Sequence, residues 1–126
     1  CVGNVERYWE RIERRESYVL FLRRTEEVDK PYYTLEVEPN GTIRQKRTLG
    51  DNQLEDIKDA SGFLRKWQKS IAKRLTAGDL ALAKVSKILR MKEFEELREN
   101  QVTIPTGKLA GTPLLTVLQA DLMEAA

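Results

Sequence analysis

The chain has 126 residues, of which 40% are hydrophobic and 33% charged, with 22 basic side chains against 20 acidic ones. That length suits one domain with its own core. One cysteine and no histidine exclude an internal disulfide and a Ser–His–Asp type of triad built from this chain alone, and argue against a closed structural zinc site. No apolar run approaches the roughly 18 residues needed to span a bilayer, so the expectation is a cytoplasmic protein with no membrane contact, no metal and no cofactor.

In chain order, Val5, Tyr8, Trp9 and Ile12 recur at helical spacing, which predicts a helix over Val5 to Arg15 capped by Asn4. Ser17 to Arg24 is a short apolar, aromatic run and reads as a buried strand. Thr25 to Lys30 is a polar loop. In Tyr32 to Glu38, Tyr33, Leu35 and Val37 alternate with Thr34, Glu36 and Glu38, the pattern of a half-buried strand. Asn40-Gly41 supplies a tight hairpin turn, and Thr42 to Thr48 returns antiparallel. Its only aliphatic residue is Ile43, so it is expected to be an exposed or edge strand protected by Arg44, Lys46 and Arg47.

Gly50-Asp51-Asn52 breaks the sheet, and the rest is helical. Gln53 to Leu75 carries Leu54, Ile57, Phe63, Leu64, Trp67, Ile71 and Leu75 inward, with a kink or division allowed at Gly62. Gly78 is expected at a left-handed helix end and Asp79 as the next cap. A third helix follows to Asn100, with Val85, Ile88, Leu89, Phe94 and Leu97 inward. Thr112 with Pro113 starts a last helix striped by Leu115, Leu118 and Leu122. Trp9 and Trp67 are assigned to the core. The order is an N-terminal helix, a three-stranded antiparallel meander and three C-terminal helices, an α+β fold. Residues 1–52 form the helix and meander of one domain, and residues 53–126 its helical part.

Charge is unevenly placed. Residues 58–92 hold ten basic side chains against two acidic ones, a local net of +8, while residues 93–126 have a net of −4. Lys66, Lys69 and Lys73 share a helical face opposite Leu64, Trp67, Ile71 and Leu75, with Arg74 beside them. Aligned cations can neutralise phosphates, although a solvated lysine face is the commoner meaning of such a stripe. No strand has the aromatic face of an RNA-recognition sheet, and no helix-turn-helix spacing is present.

Several segments together are similar to one family. Cys1-Val2-Gly3-Asn4, Phe21-Leu22-Arg23-Arg24, Pro31, Thr34-Leu35-Glu36-Val37, Ile43-Arg44-Gln45 and Gly50 with Asn52 resemble the PcfJ-like family, large proteins encoded on conjugative plasmids, prophages and related bacterial elements. Phe63-Leu64-Arg65-Lys66-Trp67, Leu97-Arg98-Glu99-Asn100 and Gly107-Lys108-Leu109-Ala110-Gly111 resemble its C-terminal region. The family's cysteine normally follows two histidines, and this chain begins at the cysteine. The resemblance implies a mobile-element context, a fragment of a longer protein and no particular activity.

The resemblance also implies a polar motif at Cys1, Arg23, Thr34, Glu36, Gln45 and Asn52. On the strand assignment, Thr34 and Glu36 share a face and Gln45 can join them from the neighbouring strand. Two uses follow. The first is an accessory domain contacting nucleic acid, a partner protein or the rest of its parent chain through Lys66, Lys69, Lys73 and Arg74. The second is a cysteine-dependent enzyme or self-processed fragment with Cys1 as nucleophile, assisted by Arg23 or Glu36. A structural alternative stands beside them: an Arg23–Glu36 cross-strand ion pair, with Gln45 and Asn52 bonded to turn backbone.

Overall fold

The computed structural model describes residues 5–23, 31–47 and 57–125. Asn4, the Thr25–Lys30 loop and the Gly50–Asn52 break lie outside those residues. The architecture is α+β: α1 (Val5–Glu13), a meander of β1 (Tyr18–Arg23), β2 (Pro31–Val37) and β3 (Ile43–Arg47), then α2 (Ile57–Ala72), α3 (Ala77–Glu99) and α4 (Leu114–Asp121). The sheet is antiparallel with order β1-β2-β3. No helix among the described residues is long and apolar enough to cross a membrane.

Period-two alternation gives β2 two different faces. Tyr33, Leu35 and Val37 meet Ile43, Leu64 and Met123 in the main core, with Leu22, Ala60 and Trp67 packed against it. Glu36 shares the other face with Thr34, and that side is buried too. A smaller cluster of Leu97, Leu115 and Leu118 joins α3 to α4.

The edge strands reverse their expected exposure. On β1, Tyr18, Leu20 and Phe21 are exposed, whereas all five residues of β3 are buried. The segment after α4 explains the difference. Ile43 and Met123 exchange both backbone hydrogen bonds, at 2.9 and 2.8 Å, so the chain's last residues cover the β3 edge. The cations of β3 lie among carboxylates, which permits burial that apolarity alone would not. Trp9, assigned to the core, is exposed, and Phe63 likewise points outward.

Local geometry departs from expectation at three turns. In the β2–β3 hairpin only Gly41 has positive φ, at 91°, and the Glu38 N–H donates to the Thr42 carbonyl around a three-residue loop. This is not the two-residue positive-φ turn that Asn-Gly suggests. Thr76, not Asp79, caps α3: its hydroxyl accepts from the Asp79 N–H, and the Asp79 carboxylate accepts from the Thr76 N–H. The reciprocal box satisfies two donors at the helix start. Pro113 takes the N-cap position of α4 in place of Thr112. Helix α2 runs unbroken through Gly62.

Candidate functional site

The face of the sheet opposite the main core carries a layer of buried charge. It is assembled from local geometry. Helix α1 ends in a left-handed residue, Arg15 at φ 58°, with Glu16 N–H donating to the Arg11 carbonyl and Arg15 N–H to that of Ile12. This Schellman pattern turns the chain sharply and delivers Glu16 and Ser17 under the sheet. On β3 the register shifts: Gln45 lies opposite Glu36, but Ile43 lies opposite Val37, leaving Arg44 as the extra residue of a bulge. Ile43 thereby stays in the apolar core while Arg44 and Gln45 both enter the charged layer.

Each carboxylate in that layer is held by several donors. Glu36 accepts from Arg11 Nε at 2.5 Å and Nη2 at 3.0 Å, from Ser17 Oγ at 2.7 Å and from Gln45 Nε2 at 3.3 Å. Glu38 accepts from Arg44 Nε at 2.8 Å, and Arg90 Nε lies 2.7 Å from the same Oε2 in a contact that is close but poorly aligned as a hydrogen bond. Glu16 accepts from Arg44 Nη2 at 3.0 Å and from Arg14 at 2.8 Å. Ser86 links the helix to both: its hydroxyl donates to the Glu16 carbonyl, and its own carbonyl accepts from Arg44 at 2.9 Å. Three buried carboxylates therefore face three buried arginines, Arg11, Arg44 and Arg90. Bidentate, charge-assisted bonds of this kind offset the desolvation that burial imposes.

A second pair lies at the far end of β3. Arg47 Nη2 is 2.9 Å from Asp121 Oδ2. Burial pushes the Asp121 carboxyl up to about 6, against the opposing pull of Arg47 and Lys46. Burial also lowers the Lys46 amine, with Asp121 acting in the other direction. Desolvation thus outweighs attraction at both Asp121 and Lys46.

The sequence-derived polar motif is distributed as follows. Thr34, Glu36 and Gln45 share one sheet face, and Glu36 and Gln45 are bonded. Arg23 does not join them. It lies opposite Pro31, and the β1 residue opposite Glu36 is Val19, four positions away, roughly 13 Å along a strand. Arg23 instead sits over the Phe21 ring, 5.8 Å from its centroid. The arginine that grips Glu36 is Arg11. Cys1 and Asn52 lie outside the described residues. A cavity of about 20 Å³ borders Glu36, Arg44, Gln45 and Arg90. That volume holds about one water.

Arg11, Glu16, Glu38, Arg44, Ser86 and Arg90 were not among the sequence candidates. One signal was available: Ala83, Ser86, Arg90 and Leu97 recur at helical spacing, placing a serine and an arginine within an apolar stripe. In the structure that stripe faces inward. Ser86 is 0% and Arg90 2% exposed, whereas Val85 and Ile88, expected inward, are 55% and 66% exposed.

The cationic stripe is on the outer surface. Lys66 and Lys69 of α2, with Lys73 and Arg74 in the turn that follows, are all exposed. The rotation of α2 is fixed from beneath. Leu64 enters the core, and Gln68 Nε2 donates to the Gly41 carbonyl at 3.0 Å and to that of Met123 at 2.8 Å. Those two anchors leave the lysine face to solvent. No protein-family model, curated protein or solved structure matches this chain.

Proposed function

We propose that this chain is a nucleic-acid-contacting module that meets phosphates through Lys66, Lys69, Lys73 and Arg74. One observation carries the reading: the chain segregates its cations. Arg11, Arg44, Arg47 and Arg90 are buried against carboxylates, while these four stand in solvent, Lys66 and Lys69 on a helix whose orientation is locked and Lys73 and Arg74 in the turn that ends it. Cations aligned on a rigid element can displace counterions from a phosphate backbone without base recognition. The mobile-element context rests on the PcfJ-like resemblance alone.

The charged layer is read as structural. A carboxylate that already accepts four hydrogen bonds beside a one-water cavity has little capacity for acid–base work on a substrate.

The test is fluorescence anisotropy with a labelled mixed-sequence duplex across a salt series. Four phosphate contacts predict a slope of log affinity against log salt of about −3 to −4. The variant K66E/K69E/K73E should lose binding while keeping the wild-type melting curve. Equal binding by the reversed protein would overturn the proposal.

A further inference from the structure

The two edges of the sheet are finished differently. At β3 the outer edge is closed. Ile43 exchanges both backbone bonds with Met123, the Thr42 hydroxyl accepts from the Ala125 N–H at 3.0 Å, and the Asp121 carboxylate accepts from the Lys46 N–H. β1 is the other edge, and among the described residues nothing hydrogen-bonds to its outer side. Tyr18 to Leu22 has no charge, proline or glycine; the strand's one charge, Arg23, and its one irregularity both fall at its end. Edges left to solvent are ordinarily blunted along their length by such features.

The side chains of β1 are bare on both sides of the sheet. Pairing with β2 puts Tyr18, Leu20 and Leu22 on the core side and Val19 and Phe21 on the charged side. Leu20 and Phe21 are consecutive, yet 39% and 52% exposed, so neither side is fully covered along this edge. A row of unpaired N–H and C=O groups with apolar side chains above and below is matched by one kind of partner, another extended strand.

Register identifies that strand as a second β1. A two-fold axis perpendicular to the sheet keeps the core sides together only where residues of like parity face each other. Centred on Leu20, it sets Tyr18 opposite Leu22 of a second copy, Val19 opposite Phe21, and Leu20 opposite Leu20. Every apolar residue of the strand then meets an apolar one. The two Arg23 side chains stand at opposite ends, each level with a Ser17. A parallel pairing would instead bring the two Arg23 together, and like charges side by side repel.

We infer that β1 is a homodimer interface, at which two copies pair antiparallel about Leu20 and join two three-stranded sheets into one of six strands. The same strand serves both subunits. This inference is independent of the nucleic-acid proposal, which uses α2 and the turn after it.

The experiment combines sedimentation equilibrium of the full chain, over roughly 1–500 µM, with cysteine cross-linking. Wild type should reach twice the chain mass. Leu20→Lys should raise the dissociation constant about a hundredfold or more with a wild-type melting curve, because two facing leucines become two facing cations. In a Cys1→Ser background, Leu20→Cys should form a disulfide-linked dimer on mild oxidation. Tyr18→Cys should not, since its two copies lie about 13 Å apart along the strands, beyond the roughly 7 Å that a disulfide allows. The cross-links test the register even where L20K disturbs folding. A monomer throughout the concentration range overturns the inference. So does a dimer indifferent to L20K, or equal cross-linking at positions 18 and 20.

Discussion

Arg11 holds Glu36 through both carboxylate oxygens, with Nε at 2.5 Å and Nη2 at 3.0 Å, although 25 residues separate them. Both side chains are buried. The pair fastens the first helix to the central strand, and Ser17 and Gln45 complete the carboxylate's bonding. Glu36→Gln keeps the shape and removes the charge, leaving the Arg11 guanidinium buried without a counterion. Breaking one side of such a pair costs about 3–5 kcal/mol. Urea unfolding of the variant should show a loss in that range, and a loss below about 1 kcal/mol would mean that the layer does not stabilise the fold as argued.

Asp121 gives the fold a pH signature. An acid whose pKa is higher in the folded state, here about 6 against 3.8, stabilises the fold while protonated. Its contribution is complete below pH 3.8 and lost as pH rises through about 6. Wild-type stability minus that of Asp121→Asn should therefore fall by about 2 kcal/mol between about pH 4.5 and about pH 7. Urea titrations of both proteins across that interval measure the difference. A difference that is flat or rises with pH would contradict the assignment.

Two helices end on side-chain-bearing residues in left-handed backbone. Arg15 has φ 58° and Gln101 φ 51°. At the end of α3, Val102 N–H donates to the Leu97 carbonyl and Gln101 N–H to that of Arg98, the same pattern as at Arg15. Left-handed backbone costs an L-residue roughly 1–2 kcal/mol, which glycine avoids at some expense in unfolded-chain entropy. Arg15→Gly and Gln101→Gly should each stabilise the protein by about 0.5–1 kcal/mol by thermal and urea unfolding. Destabilisation by either would show that the lost side chain contributes more than its strain.

The cationic face should be dispensable for folding. Lys66, Lys69 and Lys73 are exposed, and surface substitutions of this kind usually change stability by no more than about 0.5 kcal/mol each. Alanine at all three positions should leave unfolding nearly unchanged while weakening duplex binding and flattening its salt dependence. A large loss of stability would assign these lysines to the fold instead.

Periodicity made much of the architecture readable. The alternation in β2, the hairpin at Gly41 and the 3.6-residue spacing of α2 each reflect short-range geometry, and all three elements form near where their patterns predict, although the turn is a three-residue loop, α2 spans Ile57–Ala72 and Phe63 faces outward. The candidate patch was legible in part: Thr34, Glu36 and Gln45 share a face because strand parity is local. Arg23 fell away because its position depends on register with β2, and Arg11 was invisible because its contact spans 25 residues.

Which surfaces would be covered was a different matter. Apolar content assigned β1 to the interior and β3 to solvent, yet Met123 returns from the end of the chain to pair with Ile43, and β3 is buried. The same holds for α3, where hydropathy favoured Val85 and Ile88 as inward residues and the carboxylates of Glu16 and Glu38 drew in Ser86 and Arg90. Local backbone preference and side-chain period act within a few residues and can be read along the chain. Burial of charge depends on partners brought together from distant segments, because a desolvated ion is tolerated only where opposite charge and hydrogen bonds already await it.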